Sequence, residues 1–247
     1  MELKDFFKQN PKAALGFSGG VDSSYLLYAA KKYGADVQPY YIKTPFQPQF
    51  EYADALKLCD VLTVELKTIE YNILSQSIIS DNPKNRCYYC KKTLFSLLKQ
   101  QAEKDGYKLI IDGTNASDIA DERPGMMALE ELCVRSPLRE CGLTKEMIRY
   151  NSKQAGLFTC DKPAYACLAT RIPTDTAITE ALLKRVEYSE KALADMGFSD
   201  FRVRVYNNSA RIQLKENQFV KAAENRCEIV ECIKPYFETI FLDMEAR

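Results

Sequence analysis

The stretch "ALGFSGGVDSSYLLYAAKKYG", Ala14–Gly34, decides the fold. A short apolar run meets two glycines, then an acid among small polar residues, then a long segment of helical character. "AALGF" (13–17) reads as a buried strand and 21–33 as the helix that follows it, with Gly34 as its natural stop. A strand that ends in Gly-Gly with a helix starting at once presents free backbone N–H groups at the positive end of the helix dipole. That is an anion site, and phosphate is its natural guest. The spacing matches neither the Gly-Lys-Ser/Thr ending of a Walker loop nor the three-glycine dinucleotide fingerprint.

The chain around this stretch has 247 residues, enough for one large and one small domain. It is 46% hydrophobic, with 34 basic and 34 acidic residues and a formal net charge of zero. That balance argues against a general nucleic-acid binder, which shows a basic excess. No apolar run is long enough to cross a bilayer and "MELKDFFKQN" lacks a signal-peptide core, so a cytoplasmic protein is expected. There is no histidine, which excludes Ser-His-Asp and Cys-His mechanisms and histidine-containing zinc sites. Nine cysteines in a reducing compartment read as thiols, metal ligands or nucleophiles.

Strand-like and helix-like segments alternate onward. "VQPYYI" (37–42) is a strand candidate, early or at an edge because of Pro39. "VLTVEL" (61–66) alternates with period two, and "KLIIDG" (108–113) is a short apolar strand. "GLTKEMIRYNSKQAG" carries an N-cap at Thr144 and a stop at Gly156. The alternation implies βαβ crossovers and a parallel sheet covered on both faces. After about residue 165 the pattern changes. A long amphipathic helix with Leu182, Val186, Leu193 and Met196 along one stripe precedes a hairpin, "FRVRVY" and "SARIQL", then a helix and a last strand, "TIFLD". The expected class is α/β: an N-terminal parallel-sheet domain (1–165) with a smaller C-terminal α+β domain (166–247).

"SGGVDSS" resembles the pyrophosphate loop of the PP-loop ATP pyrophosphatases, a Rossmann-like fold of the adenine nucleotide alpha hydrolase kind. "IIDGTNASD" (110–118) resembles that superfamily's Gly-Thr-Asn turn over the nucleotide. The resemblance implies ATP and Mg²⁺ held at Phe17, Ser18, Gly19, Gly20, Asp22, Ser23, Lys43, Gly113, Thr114 and Asn115, with cleavage between the α- and β-phosphates. AMP passes to a substrate oxygen and a nucleophile displaces it.

"NRCYYCKK" sets Cys87 and Cys90 at C-x-x-C spacing, and "KPAYACLATRIP" places Cys167 farther on. Read alone, the pair is open to buried structural thiols, half of a zinc site, or cluster ligands. With "RPGMMALEELCVRSPLRECGLTKEMIR" (123–149) and "RVRVYNNSARIQL", these segments resemble the LarE family over nearly the whole chain. That resemblance implies an ATP-dependent sulfur transferase. It converts the carboxylates of a pyridinium biscarboxylic acid mononucleotide into thiocarboxylates, on the route to a nickel-pincer cofactor. It implies Cys167 as the catalytic cysteine, with Cys87, Cys90 and Cys167 holding a [4Fe–4S] cluster that carries an extra sulfide. The alternative donor is Cys167 itself, left as dehydroalanine. An external sulfide or sulfur-delivery donor and a homo-oligomer are also implied.

Arg171, Arg202, Arg204 and Arg211 match arginines that hold the substrate phosphate in the family, and Glu187 is a candidate for positioning the substrate. Surface charge is the plain alternative for each. The other cysteines, Cys59, Cys133, Cys141, Cys160, Cys227 and Cys232, read as core thiols. Relatives often carry histidines where this chain has Val205 and Tyr206, and Trp where Cys160 stands. A tRNA thiolase of the same superfamily and a non-catalytic nucleotide-binding module are the competing readings.

Overall fold

The computed structural model describes residues 1–118 and 124–247. Arg123, which opens the family-like segment 123–149, lies outside them. The chain divides into two compact units, Met1–Asn72 with Asn85–Lys162, and Ile73–Lys84 with Pro163–Arg247. The second unit thus takes in 73–84, a segment assigned from sequence to the N-terminal domain.

The first unit contains α1 (Leu3–Gln9), β1 (Lys12–Gly16), α2 (Val21–Lys32), β2 (Asp36–Lys43), α3 (Gln49–Leu62) and β3 (Lys67–Glu70). After α4 (Ser77–Ser80), which belongs to the second unit, it resumes with α5 (Arg86–Lys104), β4 (Ile110–Ile111), α6 (Pro124–Glu131), α7 (Pro137–Glu140) and α8 (Lys145–Gln154). Four parallel strands pair in the order β3-β2-β1-β4, and a parallel bridge from Ile111 to Arg135 extends the β4 side. Side-chain alternation divides β1 between two apolar layers. Ala13 and Leu15 join Val37, Tyr41 and Ile111 under α1, α2 and α3. Ala14 joins Tyr40 and Ile110 against Leu98 and Ala102 of α5. A strand buried on both faces cannot show polar alternation, which is why "AALG" is apolar throughout.

Three expectations are corrected. Pro39 lies in an internal strand, between β1 and β3, and is tolerated because β2–β3 pairing begins only at Tyr40. The Gln38 amide fills the adjoining gap by donating to Glu65 O at 2.7 Å. "VLTVEL" is not a strand: Val61 and Leu62 finish α3, Thr63 caps it in the left-handed region (φ 52°), and β3 starts at Lys67. The period-two pattern there is the tail of a helix meeting a turn.

The second unit packs α9 (Glu180–Asp195) on a sheet ordered β5-β6-β7, from Arg202–Tyr206, Ser209–Gln213 and Thr239–Leu242, with α10 (Phe219–Glu224) and α11 (Arg226–Ile233) between the last two strands. β5 and β6 form the expected hairpin, turning at Asn207 (φ 52°). The α9 stripe is the third correction: Leu183, Val186, Glu190 and Leu193 are buried, while Leu182 and Met196 are only half-buried. Residues 73–84 belong here because Asn82 Nδ2 donates to Pro173 O (2.7 Å) and Ile178 N to Ser80 O (2.7 Å). Among the described residues no helix is long and apolar enough to cross a membrane.

Candidate active site

Phe17–Gly20 form the turn between β1 and α2, and Val21–Ser23 open the helix. Gly19 takes φ +70°, and a Cβ there would stand 3.1 Å from the backbone of Ala55 on α3, so only glycine fits. Gly20 is the N-cap of α2, with no side-chain cap bond among the described residues, and the first-turn N–H groups have no intrahelical acceptor. The loop is braced from within: Ser18 Oγ lies 3.1 Å from Ser23 Oγ, Ser23 Oγ donates to Gly20 O at 3.3 Å, and Gly20 N donates to Ser18 Oγ at 3.3 Å. Its amides are preorganised around an uncapped positive helix end. Phe17 is buried beneath it.

Two lysines that sequence reading missed flank this loop. Lys145 Nζ, on the first residue of α8, donates to Asp22 Oδ2 at 2.6 Å. Lys162 Nζ donates to Gly19 O at 3.4 Å and pairs with Asp54 at 2.7 Å. Arg149 holds the Lys162 segment in place by donating to Lys162 O at 2.7 Å. Burial raises the Asp22 carboxyl above its usual range, against the opposing pull of Lys145, and Asp22 Oδ1 is buried without a partner among the described residues. Lys43, at the end of β2, stands over the Tyr52 ring (4.9 Å) and pairs with the exposed Glu70 at 3.7 Å.

The structure brings the two nucleotide motifs together. A Cβ on Gly113 would lie 2.9 Å from Ser23 N, so the Gly-Thr-Asn turn rests on the first turn of α2. That turn is rigid. Buried Asp112 accepts from Thr114 N (3.2 Å), Thr114 Oγ1 (2.5 Å) and Ser136 Oγ (2.6 Å), and Asn115 Oδ1 accepts from Ser117 N (2.8 Å). Thr114 and Asn115 thus shape the turn by bonding within it.

Cys87 and Cys90 lie three apart at the start of α5, the first exposed and the second half-buried. Cys167 belongs to the other unit, half-buried at the entry to a short 3₁₀ turn, Leu168–Arg171. None of the nine cysteines is in a disulfide. Among the described residues no three Cys, Asp or Glu side chains stand close enough to hold a metal ion. Of the cysteines read as core, only Cys59 is fully buried, its thiol pushed up to about 12 chiefly by burial. Cys133 is exposed in the turn that follows α6, at φ 57°, and Cys227 is exposed in the first turn of α11.

Arg171 is 1% exposed. Its Nε and Nη2 donate to Glu190 at 2.8 and 3.1 Å, and Nη1 donates to Ala166 O and Thr170 Oγ1, both at 2.8 Å. Burial alone would lower its pKa; the bonds and charge of Glu190 turn the net shift upward. Arg202 is also buried, donating to Phe201 O and Ala164 O at 2.6 Å each. Arg204 is half-buried, donates to Thr170 O (2.8 Å), and faces exposed Arg211 directly across the hairpin. Like charges opposite each other repel. Asp243 offsets part of this at 3.5 Å from Arg211, and burial with the neighbouring guanidiniums lowers the Arg204 pKa. Glu187 is half-buried on α9, one turn before Glu190.

No family model matches the chain. An uncharacterised protein of Synechocystis is 34% identical over 249 residues, covering 98% of this chain and 92% of that protein. The pyridinium-3,5-bisthiocarboxylic acid mononucleotide synthase of Lactiplantibacillus plantarum is 31% identical over 211 residues, 85% of this chain and 76% of the synthase. A probable tRNA sulfurtransferase of Thermoanaerobacter pseudethanolicus is 23% identical over 206 residues, 54% of its length. The glycine loop, its partner turn and the Cys167 segment therefore sit in a chain that belongs to the LarE family, the family of the pyridinium-3,5-bisthiocarboxylic acid mononucleotide synthases.

Proposed function

We propose that the protein is an ATP-dependent sulfur transferase that converts a carboxylate of pyridinium-3,5-biscarboxylic acid mononucleotide to a thiocarboxylate, releasing AMP and pyrophosphate. The observation that carries this reading is the uncapped N-terminus of α2 with Lys145 and Lys162 beside it. The amides of Ser18–Ser23 bind the β- and γ-phosphates, and the two ammonium groups balance charge that grows on the departing pyrophosphate. The orphan Oδ1 of Asp22, whose other oxygen pairs with Lys145, fits a Mg²⁺ ion beside the loop. Mg²⁺ held there would neutralise negative charge on the phosphates.

A substrate carboxylate oxygen attacks the α-phosphorus. The bond from that phosphorus to the bridging oxygen breaks, and pyrophosphate leaves with the electron pair. Sulfur then attacks the acyl carbon and AMP leaves. With Cys167 as donor, its thiolate forms a thioester. Loss of the Cys167 Cα proton and cleavage of its Cβ–S bond then release the thiocarboxylate and leave dehydroalanine. The alternative donor is a [4Fe–4S] cluster, for which Cys87, Cys90 and Cys167 would be the ligands; it would supply a sulfide and spare the cysteine. Arg204 and Arg211 face one side of the hairpin and suit the mononucleotide phosphate.

Pyrophosphate release that depends on the pyridinium mononucleotide, with thiocarboxylate product in the mass spectrum, tests the reading. Release driven by bulk tRNA instead would overturn it in favour of a tRNA thiolase, and no release with either substrate would favour a binding module. Iron and sulfide analysis after anaerobic purification separates cluster from sacrificed cysteine.

A further inference from the structure

We infer that Glu190, through Arg171 and Tyr165, is a positioning residue that fixes the backbone of the Cys167 segment, and that Arg171 and Arg202 serve this frame rather than the substrate phosphate. Glu190 is 5% exposed on the apolar face of α9. Its Oε1 accepts from Arg171 Nε (2.8 Å) and Val203 N (2.9 Å), and its Oε2 accepts from Arg171 Nη2 (3.1 Å) and the Tyr165 hydroxyl. One carboxylate thus ties α9, β5 and the segment around Cys167 together.

The arginines convert that anchor into a grip on the loop. Arg171 Nη1 reaches Ala166 O (2.8 Å) and Cys167 O (3.4 Å), Arg202 Nη2 reaches Ala164 O (2.6 Å), and Arg204 Nη1 reaches Thr170 O (2.8 Å). Thr170 N and Oγ1 also donate to Cys167 O, at 3.0 and 2.8 Å. The Tyr165 ring lies against both buried guanidiniums, 4.5 Å from Arg171 and 5.2 Å from Arg202, and its face attracts each cation. Four carbonyls across seven residues are therefore held by side chains from β5 and the loop itself, with Glu190 of α9 anchoring Arg171. A buried guanidinium whose nitrogens already donate to protein acceptors has little left for a phosphate. A buried Arg–Glu pair is weak evidence of stability; here its bonds, together with those of Arg202 and Arg204, hold the loop backbone. Sulfur delivery needs its reacting atom placed within a fraction of an ångström.

This inference rests on the sulfur-transfer reading, and the test separates the two. Cys167 alkylation by iodoacetamide, followed by mass spectrometry without substrate, reads the loop directly. Glu190→Gln keeps the shape of the side chain but removes two acceptor contacts. Tyr165→Phe removes one hydrogen bond with no charge left unpaired, and it decides the matter if Glu190→Gln does not fold. Both are expected to change the Cys167 alkylation rate by about threefold or more, with the Cys160 rate as internal reference. Both should lower kcat for sulfur transfer by about tenfold while the KM for the mononucleotide stays within about twofold. An unchanged Cys167 rate in the folded variant, or a loss carried by KM, overturns the inference. If wild-type protein transfers no sulfur, the functional reading fails while the alkylation comparison still judges the frame.

Discussion

Replacing Gly113 by alanine tests whether the Gly-Thr-Asn turn sets the position of the phosphate loop. The new Cβ would stand 2.9 Å from Ser23 N, 3.2 Å from Ser23 Cα and 3.3 Å from Ser23 Cβ. The first two are backbone atoms, so no flexible side chain can move aside. Relief to ordinary contact requires a shift of about 0.5 Å, the difference between 2.9 and 3.4 Å. Overpacking of this kind costs roughly 1–3 kcal/mol of stability. The shift falls on the first turn of α2, whose amides must converge on the phosphates. Misaligning one charge-assisted bond of about 1.5–3 kcal/mol weakens ATP binding by about tenfold or more. Gly34→Ala is the matched control. Gly34 has φ +76°, and a Cβ added there would meet nothing within 4 Å, so alanine adds strain of roughly 1–2 kcal/mol far from the loop. Thermal unfolding and ATP titration by calorimetry should find both variants destabilised and only Gly113→Ala impaired in binding. Equal loss of ATP affinity in the two, or full affinity in Gly113→Ala, would refute the reasoning.

Lys145→Ala and Lys162→Ala should each raise the KM for ATP on the order of tenfold in a pyrophosphate-release assay, because each removes a cation at the loop. Lys145→Ala should do so with the larger stability loss, since it strips half-buried Asp22 of its partner. Asp105 is held at about 2, below its ordinary 3.8, first by Lys67 and then by the Tyr40 hydroxyl. A depressed carboxylate stabilises the fold above its unfolded pKa and loses that contribution as pH falls through the folded one. Asp105→Asn should therefore lower Tm at neutral pH, with the gap from wild type closing between pH 3.8 and pH 2 in melts across that range.

The βα alternation was legible because it is local. β1, the glycine turn and α2 announce themselves by composition, a helix start and a glycine stop, all within Ala14–Gly34. Pro39 misled because its tolerance depends on where the neighbouring strand begins pairing, which no single strand records. Lys145 and Lys162 were illegible for a similar reason. Lysine is the default solvated residue, and their partners Asp22 and Gly19 lie 123 and 143 positions away. Glu190 left a readable mark that the choice of Glu187 passed over. It falls in register with Leu183, Val186 and Leu193, and an acid on an apolar stripe must have a buried partner. The arginine motif showed that guanidiniums gather on the hairpin, but which of them face inward depends on Glu190 and on the carbonyls of the Cys167 segment.

The central claim is that the loop at α2 drives off pyrophosphate while Cys167 delivers sulfur, so the two steps should come apart in one experiment. Cys167→Ala, given ATP, Mg²⁺ and the pyridinium mononucleotide in a single turnover, should release pyrophosphate yet yield no thiocarboxylate, whereas wild type yields both. Thiocarboxylate formed by the variant at the wild-type rate would contradict the account.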